Sequence, residues 1–144
     1  MAIPSRVLAS GNSGLATTSI CGDGATGLVA LGTTAADALQ LSAVYNTIAT
    51  SSASTGVKLP PTEAGAVVSI FNNSGQTITV YPATGSTINA AAASVTVATA
   101  KSIMLFATSA TTWASLTGRL TWLWTQTLKT RIRFCRLSST IMKR

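Results

Sequence analysis

The chain has 144 residues, a formal net charge of +7 and no histidine. Hydrophobic residues make up 47% of it and charged residues only 9%, whereas about 25% is usual in soluble globular proteins. This hydrophobic content excludes an intrinsically disordered chain. Proton-transfer groups and metal ligands are scarce, so we expect no enzyme, cofactor or metal site. No apolar run of about 18 residues occurs, so no membrane span is predicted.

The net positive charge comes from one end of the chain. Three basic and three acidic residues balance in residues 1–118, and the other seven Lys and Arg residues follow without any Asp or Glu. We therefore predict an extended Gly/Ser/Thr-rich segment at 1–34, a β body at 35–118 and a cationic arm at 119–144. A nearly neutral body lacks the repulsion that keeps a monomer dispersed, so we expect it to self-associate.

The first half of the chain predicts short extended segments. Residues 10–34 are rich in Gly, Ser, Thr and Ala, which predicts extended chain and turns. A helical and a strand pattern compete over residues 35–48, and their β-branched and aromatic residues favour a strand. Pro60 and Pro61 predict the end of a strand over Val57–Leu59, because proline cannot continue the hydrogen-bonded ladder.

The second half predicts a β-hairpin followed by further strands. Residues 66–71 and 76–81 are two strand-like runs, and the turn sequence Asn72–Gly75 between them predicts the hairpin. Shorter strands are expected at residues 95–97, at 103–107 and from 111 onward. Many short strands separated by turn signals predict an all-β fold, which we expect to be a small antiparallel β-sandwich or barrel.

The arm alternates over a long stretch. Most even positions from Leu120 to Phe134 are apolar, whereas many odd positions carry Thr, Lys or Arg. This predicts a strand with one apolar and one cationic side, although a four-residue apolar spacing also fits a helix. We expect the arm to bind a partner. The predicted binding residues are Arg119, Trp122, Trp124, Lys129, Arg131, Ile132, Arg133, Phe134 and Arg136.

The acidic, aromatic and cysteine residues are expected to have structural roles. The three acidic residues, Asp23, Asp37 and Glu63, lie on predicted loops, where we expect them to serve turns or caps. Residues 22–27 look like a phosphate-binding loop but lack its lysine. We expect Tyr81 and Trp113 to be core or interface aromatics rather than a ligand platform. Cys21 and Cys135 are expected as free thiols, and a bridge between them stays open.

A family resemblance covers most of the predicted body. It is carried by an ordered set of short motifs. They are Gly56–Pro60, Gly65–Val68, Asn72–Gly75, Val80–Gly85, Ile88-Asn89, Ala100–Ser102 and Thr112-Trp113. With these motifs, residues 56–116 resemble the small β-rich virion proteins of tailed bacteriophages, which serve as head decoration (cement) proteins or in fibre-like appendages. Residues 10–48 look like their Gly/Thr-rich lead-in, whereas the arm departs from the pattern.

The resemblance implies a virion component that forms a homo-oligomer, with an intertwined homotrimer favoured. We expect a non-enzymatic capsid decoration or cement protein on the outer capsid surface, whose arm docks on the major capsid protein or other virion proteins. The alternative is a head or tail fibre or receptor-binding appendage, whose loops at residues 81–89 contact host glycan. Nucleic acid is a third candidate partner for the seven cations of the arm. We do not favour it, because the arm also has an apolar side.

Overall fold

The computed structural model describes residues 4–90 and 93–116, which form two short helices and ten strands. The helices are α1 (Pro4–Ala9) and α2 (Gly14–Cys21). The strands are β1 (Gly24–Val29), β2 (Leu39–Gln40), β3 (Tyr45–Thr50), β4 (Gly56–Lys58), β5 (Val67–Asn72), β6 (Ile78–Tyr81), β7 (Thr87–Ile88), β8 (Val95–Val97), β9 (Lys101–Ala107) and β10 (Thr112–Leu116). The predicted all-β class is confirmed.

The strands form two sheets between which the chain passes back and forth. Sheet A has the order β1-β3-β5-β9-β10-β7, and sheet B has the order β2-β4-β6-β8. From β1 to β6, consecutive strands alternate between the sheets, and each of β1 to β4 pairs in parallel with the strand two positions later. Each coil therefore contributes one strand to each sheet, which is the arrangement of a β-solenoid.

The last strands close the solenoid with a different pairing. β8 runs antiparallel to β6, β9 runs antiparallel to β5, and β10 runs antiparallel to β9. The two-residue strand β7 then pairs in parallel with β10 at the edge of sheet A. The predicted antiparallel sandwich or barrel thus differs from the structure, where parallel pairs build the three coils and antiparallel pairs only end them.

The predicted hairpin over residues 66–81 is wrong. β5 lies in sheet A and β6 in sheet B, so the turn at Asn72–Gly75 is a corner of the solenoid and the two strands do not pair. Instead, β5 pairs with β3 and β9, while β6 pairs with β4 and β8. Turn residues of this type can form either a hairpin or a corner. Here the pairing of β5 and β6 with strands of two different sheets makes the turn a corner.

A polar network fixes this corner. The buried Asn72 side chain donates from Nδ2 to the carbonyl oxygens of Gln76 at 2.8 Å and Val97 at 2.9 Å. Its Oδ1 accepts from the amide of Ser74 at 3.1 Å and from the Ser74 hydroxyl at 2.5 Å. The Ser51 hydroxyl lies 2.6 Å from that of Ser74 and joins the corner to the preceding coil. The network holds the chain where it leaves sheet A for sheet B.

The N-terminal part also differs from its prediction. Residues 10–34 were expected to be extended, but Gly14–Cys21 is helical, with the Ser13 side chain accepting from the Ala16 amide at 3.2 Å as an N-cap. The strand favoured over residues 35–48 is confirmed in type but is interrupted, because β2 lies in sheet B and β3 in sheet A. β1, within the predicted N-terminal segment, pairs with β3 of the body. The predicted division into domains stays a prediction.

The core lies between the two sheets. Alternate residues of β3, β5, β6 and β9 point inward, and Trp113 of β10 is fully buried. The other large, fully buried core side chains are Ile48, Ile70 and Leu105 of sheet A, Val57, Ile78 and Val80 of sheet B, Ile88 of β7, Leu41 just after β2, and Leu59 just after β4. Burial of such a side chain stabilises the fold by about 1.5–3 kcal/mol.

The turn that precedes β2 is closed by a carboxylate. Asp37 Oδ1 accepts from the Thr34 hydroxyl at 2.5 Å and the Thr34 amide at 2.8 Å, and its Oδ2 accepts from the Thr33 amide at 3.3 Å. These donors, led by the Thr34 hydroxyl, hold the pKa of Asp37 below its ordinary value. The predicted turn role of this residue is thereby confirmed.

We predict that Asp37→Asn makes the free energy of unfolding depend less on pH in the acidic range. Because the folded state lowers the pKa of Asp37, the carboxylate contributes stability above its unfolded pKa of about 3.9. That contribution is lost as the pH falls through the lower folded value. Urea unfolding at pH 7 and at pH 3 gives the free energy of unfolding that each protein loses on acidification. We expect this loss to be smaller for Asp37→Asn than for the parent. Glu63→Gln removes the same charge from another loop, and an equal reduction of the loss there would contradict the role of the Asp37 turn.

Candidate interaction surface

One side of sheet A exposes an apolar surface. Because side chains alternate along a strand, the residues between the inward-pointing ones of β3, β5, β9 and β10 lie on the opposite side of the sheet. We call this side the outer face of sheet A. Its large apolar side chains are each 39–64% exposed. They are Tyr45, Val67, Phe71, Met104, Phe106 and Leu116.

Strand register makes these side chains contiguous. Phe106 of β9 lies opposite Val67 on one side and Ala114 on the other. Met104 lies in the next row, opposite Leu116 of β10 and Ser69 of β5, and Ser69 in turn lies opposite Tyr45. With strands about 4.8 Å apart, four strands span about 14 Å across the sheet. The apolar side chains therefore form one surface rather than isolated exposures.

The outer face of sheet A carries no charge in the described part of the chain. Besides the large apolar residues, its positions on β3, β5, β9 and β10 are occupied by Ala, Ser and Thr. Lys101, at the start of β9, lies at the border of the face. Soluble monomers rarely expose a large contiguous apolar surface, and such surfaces mark sites that bind another protein, a membrane or a ligand.

The sequences of β5 and β9 indicate that another part of a protein packs on this face. Val67–Phe71 and Ile103–Ala107 contain apolar residues at almost every position, on both sides of the strand. A strand with one side in water normally alternates apolar and polar residues, whereas a near-continuous apolar run is typical of a strand covered on both sides. Among residues 4–90 and 93–116, the core covers one side of β5 and β9, and no described residue covers the other side.

An apolar groove extends the outer face at Val67. It has a volume of about 330 Å³ and is lined chiefly by Ala43, Val44, Pro60, Pro61 and Val67. Glu63 and Ser42 provide polar groups at its walls. The groove gives the face a recess as well as a flat part.

A polar cleft lies elsewhere, beside the loop that follows β6. Its volume is about 450 Å³, and Gln40, Lys58, Thr84, Ser86 and Thr111 contribute its polar lining. The Gln40 amide is held by the Leu59 carbonyl at 2.8 Å. Among the described residues, the cleft offers hydrogen-bonding groups and one cation, Lys58. The predicted glycan contact of residues 81–89 adjoins it and stays a prediction.

The predicted arm residues lie outside the described residues, so their contacts stay predictions. They are Arg119, Trp122, Trp124, Lys129, Arg131, Ile132, Arg133, Phe134 and Arg136. The chain is described up to Leu116, which belongs to the outer face of sheet A. The arm therefore follows this face directly along the chain. The face itself was not predicted, although the continuous apolar runs of β5 and β9 were a signal for it.

The remaining candidate residues lie on loops, in the core and at the end of a strand. Asp23, on the loop before β1, accepts from the Val44 amide at 3.0 Å, and Glu63 is exposed on the loop before β5. Trp113 is a core residue, as one of the two predicted roles required. The Tyr81 hydroxyl donates to the Thr33 carbonyl at 2.7 Å, so the ring braces the turn before β2.

Residues 4–90 and 93–116 include neither a metal-binding cluster nor a membrane-spanning helix. No group of three or more His, Cys, Asp or Glu residues there could hold a metal ion. Neither helix in this part is long and apolar enough to cross a membrane. Cys21 is partly buried at the end of α2 and is not in a disulfide with any described residue, and Cys135 lies outside this part.

No protein-family model matches the chain, and comparisons with curated proteins and with solved structures find no significantly similar protein.

Proposed function

We propose that the chain is a non-enzymatic structural protein of a bacteriophage virion, a capsid decoration or cement protein that assembles with copies of itself through the outer face of sheet A. The observation that carries the proposal is the uncharged, contiguous apolar surface formed by β3, β5, β9 and β10. The resemblance of residues 56–116 to phage decoration and fibre proteins supports the virion role. A homotrimer is the assembled state that this resemblance favours.

The physics of the surface supports self-association. Its apolar side chains are each about two-fifths exposed or more, so covering them removes hydrophobic area from water at about 25 cal/mol per Å². Because the face has no charge, association there removes no ion from water and avoids that large cost. Permanent subunit interfaces are more apolar than transient ones, and this face has their composition. The nearly neutral surface of residues 1–118 also favours association over dispersal.

The cationic arm supports attachment to a shell. Residues 119–144 contain seven Lys and Arg residues and no Asp or Glu, and this composition is complementary to an acidic surface. Arginine pairs with carboxylates through two parallel hydrogen bonds, which gives both affinity and orientation. In this proposal the β body holds the copies together, and the arm connects the assembly to neighbouring virion proteins on the outer capsid surface.

We predict that Phe106→Lys weakens self-association by about 100-fold or more. Phe106 is central in the outer face, and a lysine there would be buried without a partner in the assembly, which costs several kcal/mol. Sedimentation velocity of the parent and variant measures the effect, and circular dichroism checks that the variant folds. Thr96→Lys adds the same charge to an exposed position of β8 in sheet B and should leave association unchanged.

The virion role needs a separate measurement. Mass spectrometry of purified phage particles that encode the chain should detect it at a fixed copy number, and Phe106→Lys should lower its occupancy. A parent protein that stays monomeric at high concentration would overturn assembly through sheet A. Absence of the chain from purified particles would overturn the virion role.

A further inference from the structure

The arm follows, in sequence, a residue of the exposed outer face of sheet A. Leu116, the last residue of β10, is 64% exposed on the outer face of sheet A and lies opposite Met104. Thr117 and Gly118 alone separate it from the arm, which is the 26-residue stretch 119–144. Extended chain rises about 3.3 Å per residue, so this length reaches up to about 85 Å, against about 14 Å for the width of the face. Reach does not limit where the arm binds.

The composition of the arm matches the composition of the face. If the arm is extended, Leu120, Trp122 and Trp124 would fall on one side of it, and Ile132 and Phe134 would continue that side further along. The opposite side carries the cations between positions 129 and 133. The face offers no carboxylate to pair with those cations, so only the apolar side of the arm fits it without burying unpaired charge. The cationic side is then left free for acidic groups of the shell.

The register of β10 indicates which copy receives the arm. β9 begins at Lys101, and Leu116 already lies opposite Met104, so a strand continued in the direction of β10 passes the end of β9 within about three residues. The outer face of the same copy lies behind that point. An arm that covered its own face would have to reverse direction, whereas a straight continuation of β10 would lead away from that face and toward a neighbour.

We propose that residues 119–144 of one copy lie across the outer face of sheet A of a neighbouring copy, with Trp122 and Trp124 against the apolar rows around Met104 and Phe106. This inference rests on the proposed function, because it requires that copies self-associate through that face. It names the occupant of the interface and makes the assembly an exchange of arms. It also divides the arm into a side that binds a copy and a side that binds the shell.

Two neighbouring positions of the arm provide a matched test in the full-length chain. Trp124→Lys places a cation on the apolar side, whereas Thr125→Lys places the same cation on the opposite side. We expect Trp124→Lys to weaken self-association by about 10-fold or more, since buried tryptophans are frequent hot spots of interfaces. Thr125→Lys should change it by less than about threefold. Sedimentation velocity at several concentrations gives both dissociation constants.

The outcomes separate this inference from the proposed function. Loss of association in both Phe106→Lys and Trp124→Lys supports the arm as occupant. Loss in Phe106→Lys with normal association of Trp124→Lys overturns the arm, and the sheet faces then pack on each other as the proposed function allows. Normal association of Phe106→Lys overturns the interface itself. Equal losses in Trp124→Lys and Thr125→Lys overturn the assignment of sides.

Crosslinking distinguishes a neighbour's arm from the chain's own. A photoreactive phenylalanine analogue at position 124 is introduced into ¹⁵N-labelled protein, which is refolded with unlabelled protein and irradiated. We expect mass spectrometry to find crosslinks from labelled arm peptides to unlabelled peptides that contain Met104 and Phe106. Crosslinks confined to peptides of the same label would place the arm on its own face and overturn the exchange.

Discussion

Replacement of Asn72 by alanine is expected to lower the free energy of unfolding by about 3 kcal/mol. The side chain is fully buried, and it donates to the carbonyl oxygens of Gln76 and Val97 while accepting from Ser74. Removing it leaves buried polar groups without these partners, and each such group costs about 1–3 kcal/mol. It also loosens the corner that separates β5 from β6.

The adjacent residue supplies the control. Asn73 has an exposed side chain, and its backbone amide, which Asn73→Ala retains, donates to the Ile48 carbonyl at 2.8 Å. Urea unfolding should therefore show a change within about 0.5 kcal/mol for Asn73→Ala. Asn72→Asp keeps the acceptor for Ser74 but loses the two donated hydrogen bonds, so it should also be strongly destabilised. Equal stability of the Asn72→Ala and Asn73→Ala variants would refute the structural role of the network.

Replacement of Gly56 by alanine is the second change with a large expected effect, also about 3 kcal/mol. A Cβ at this buried position of β4 would lie 2.5 Å from the Thr79 carbonyl oxygen and 2.7 Å from the Tyr81 ring. The strand cannot move away easily, because the Gly56 amide and carbonyl also bond to the backbone of Leu31. The added methyl group therefore forces β4 and β6 apart in sheet B.

Gly75 is the matched glycine for this test. It lies at the corner after β5, and a Cβ added there meets no atom within 4 Å. Thermal and urea unfolding should place Gly75→Ala close to the parent protein and Gly56→Ala far below it. If both substitutions have the same small effect, close packing of β4 on β6 is not what requires glycine at position 56.

Both substitutions bear on assembly because they act on the body and not on the outer face of sheet A. A destabilised solenoid should lose association only in proportion to its loss of folded protein. Phe106→Lys should instead lose association while staying folded. Comparing folded fraction with sedimentation in the same samples separates these two causes.

Much of the fold could be predicted from local patterns. The strand residues in 66–71, 78–81 and 103–107 are β-branched and aromatic, and they form β5, β6 and β9. Pro60 and Pro61 predicted the end of β4, which stops at Lys58. The helix at Gly14–Cys21 was missed because its Gly, Ser and Thr residues have low helix propensity, and its signal was a capping serine at position 13.

The sequence by itself determined the β class, the balanced charge of residues 1–118 and the cationic composition of residues 119–144, because these follow from composition and short-range periodicity. Only the tertiary structure decided that Asn72–Gly75 is a corner rather than a hairpin turn, since the Asn72 side chain bonds to Val97, a residue distant in the chain. Only the tertiary structure decided which side of β5 and β9 points outward, because both sides are apolar and periodicity cannot distinguish a core from an interface.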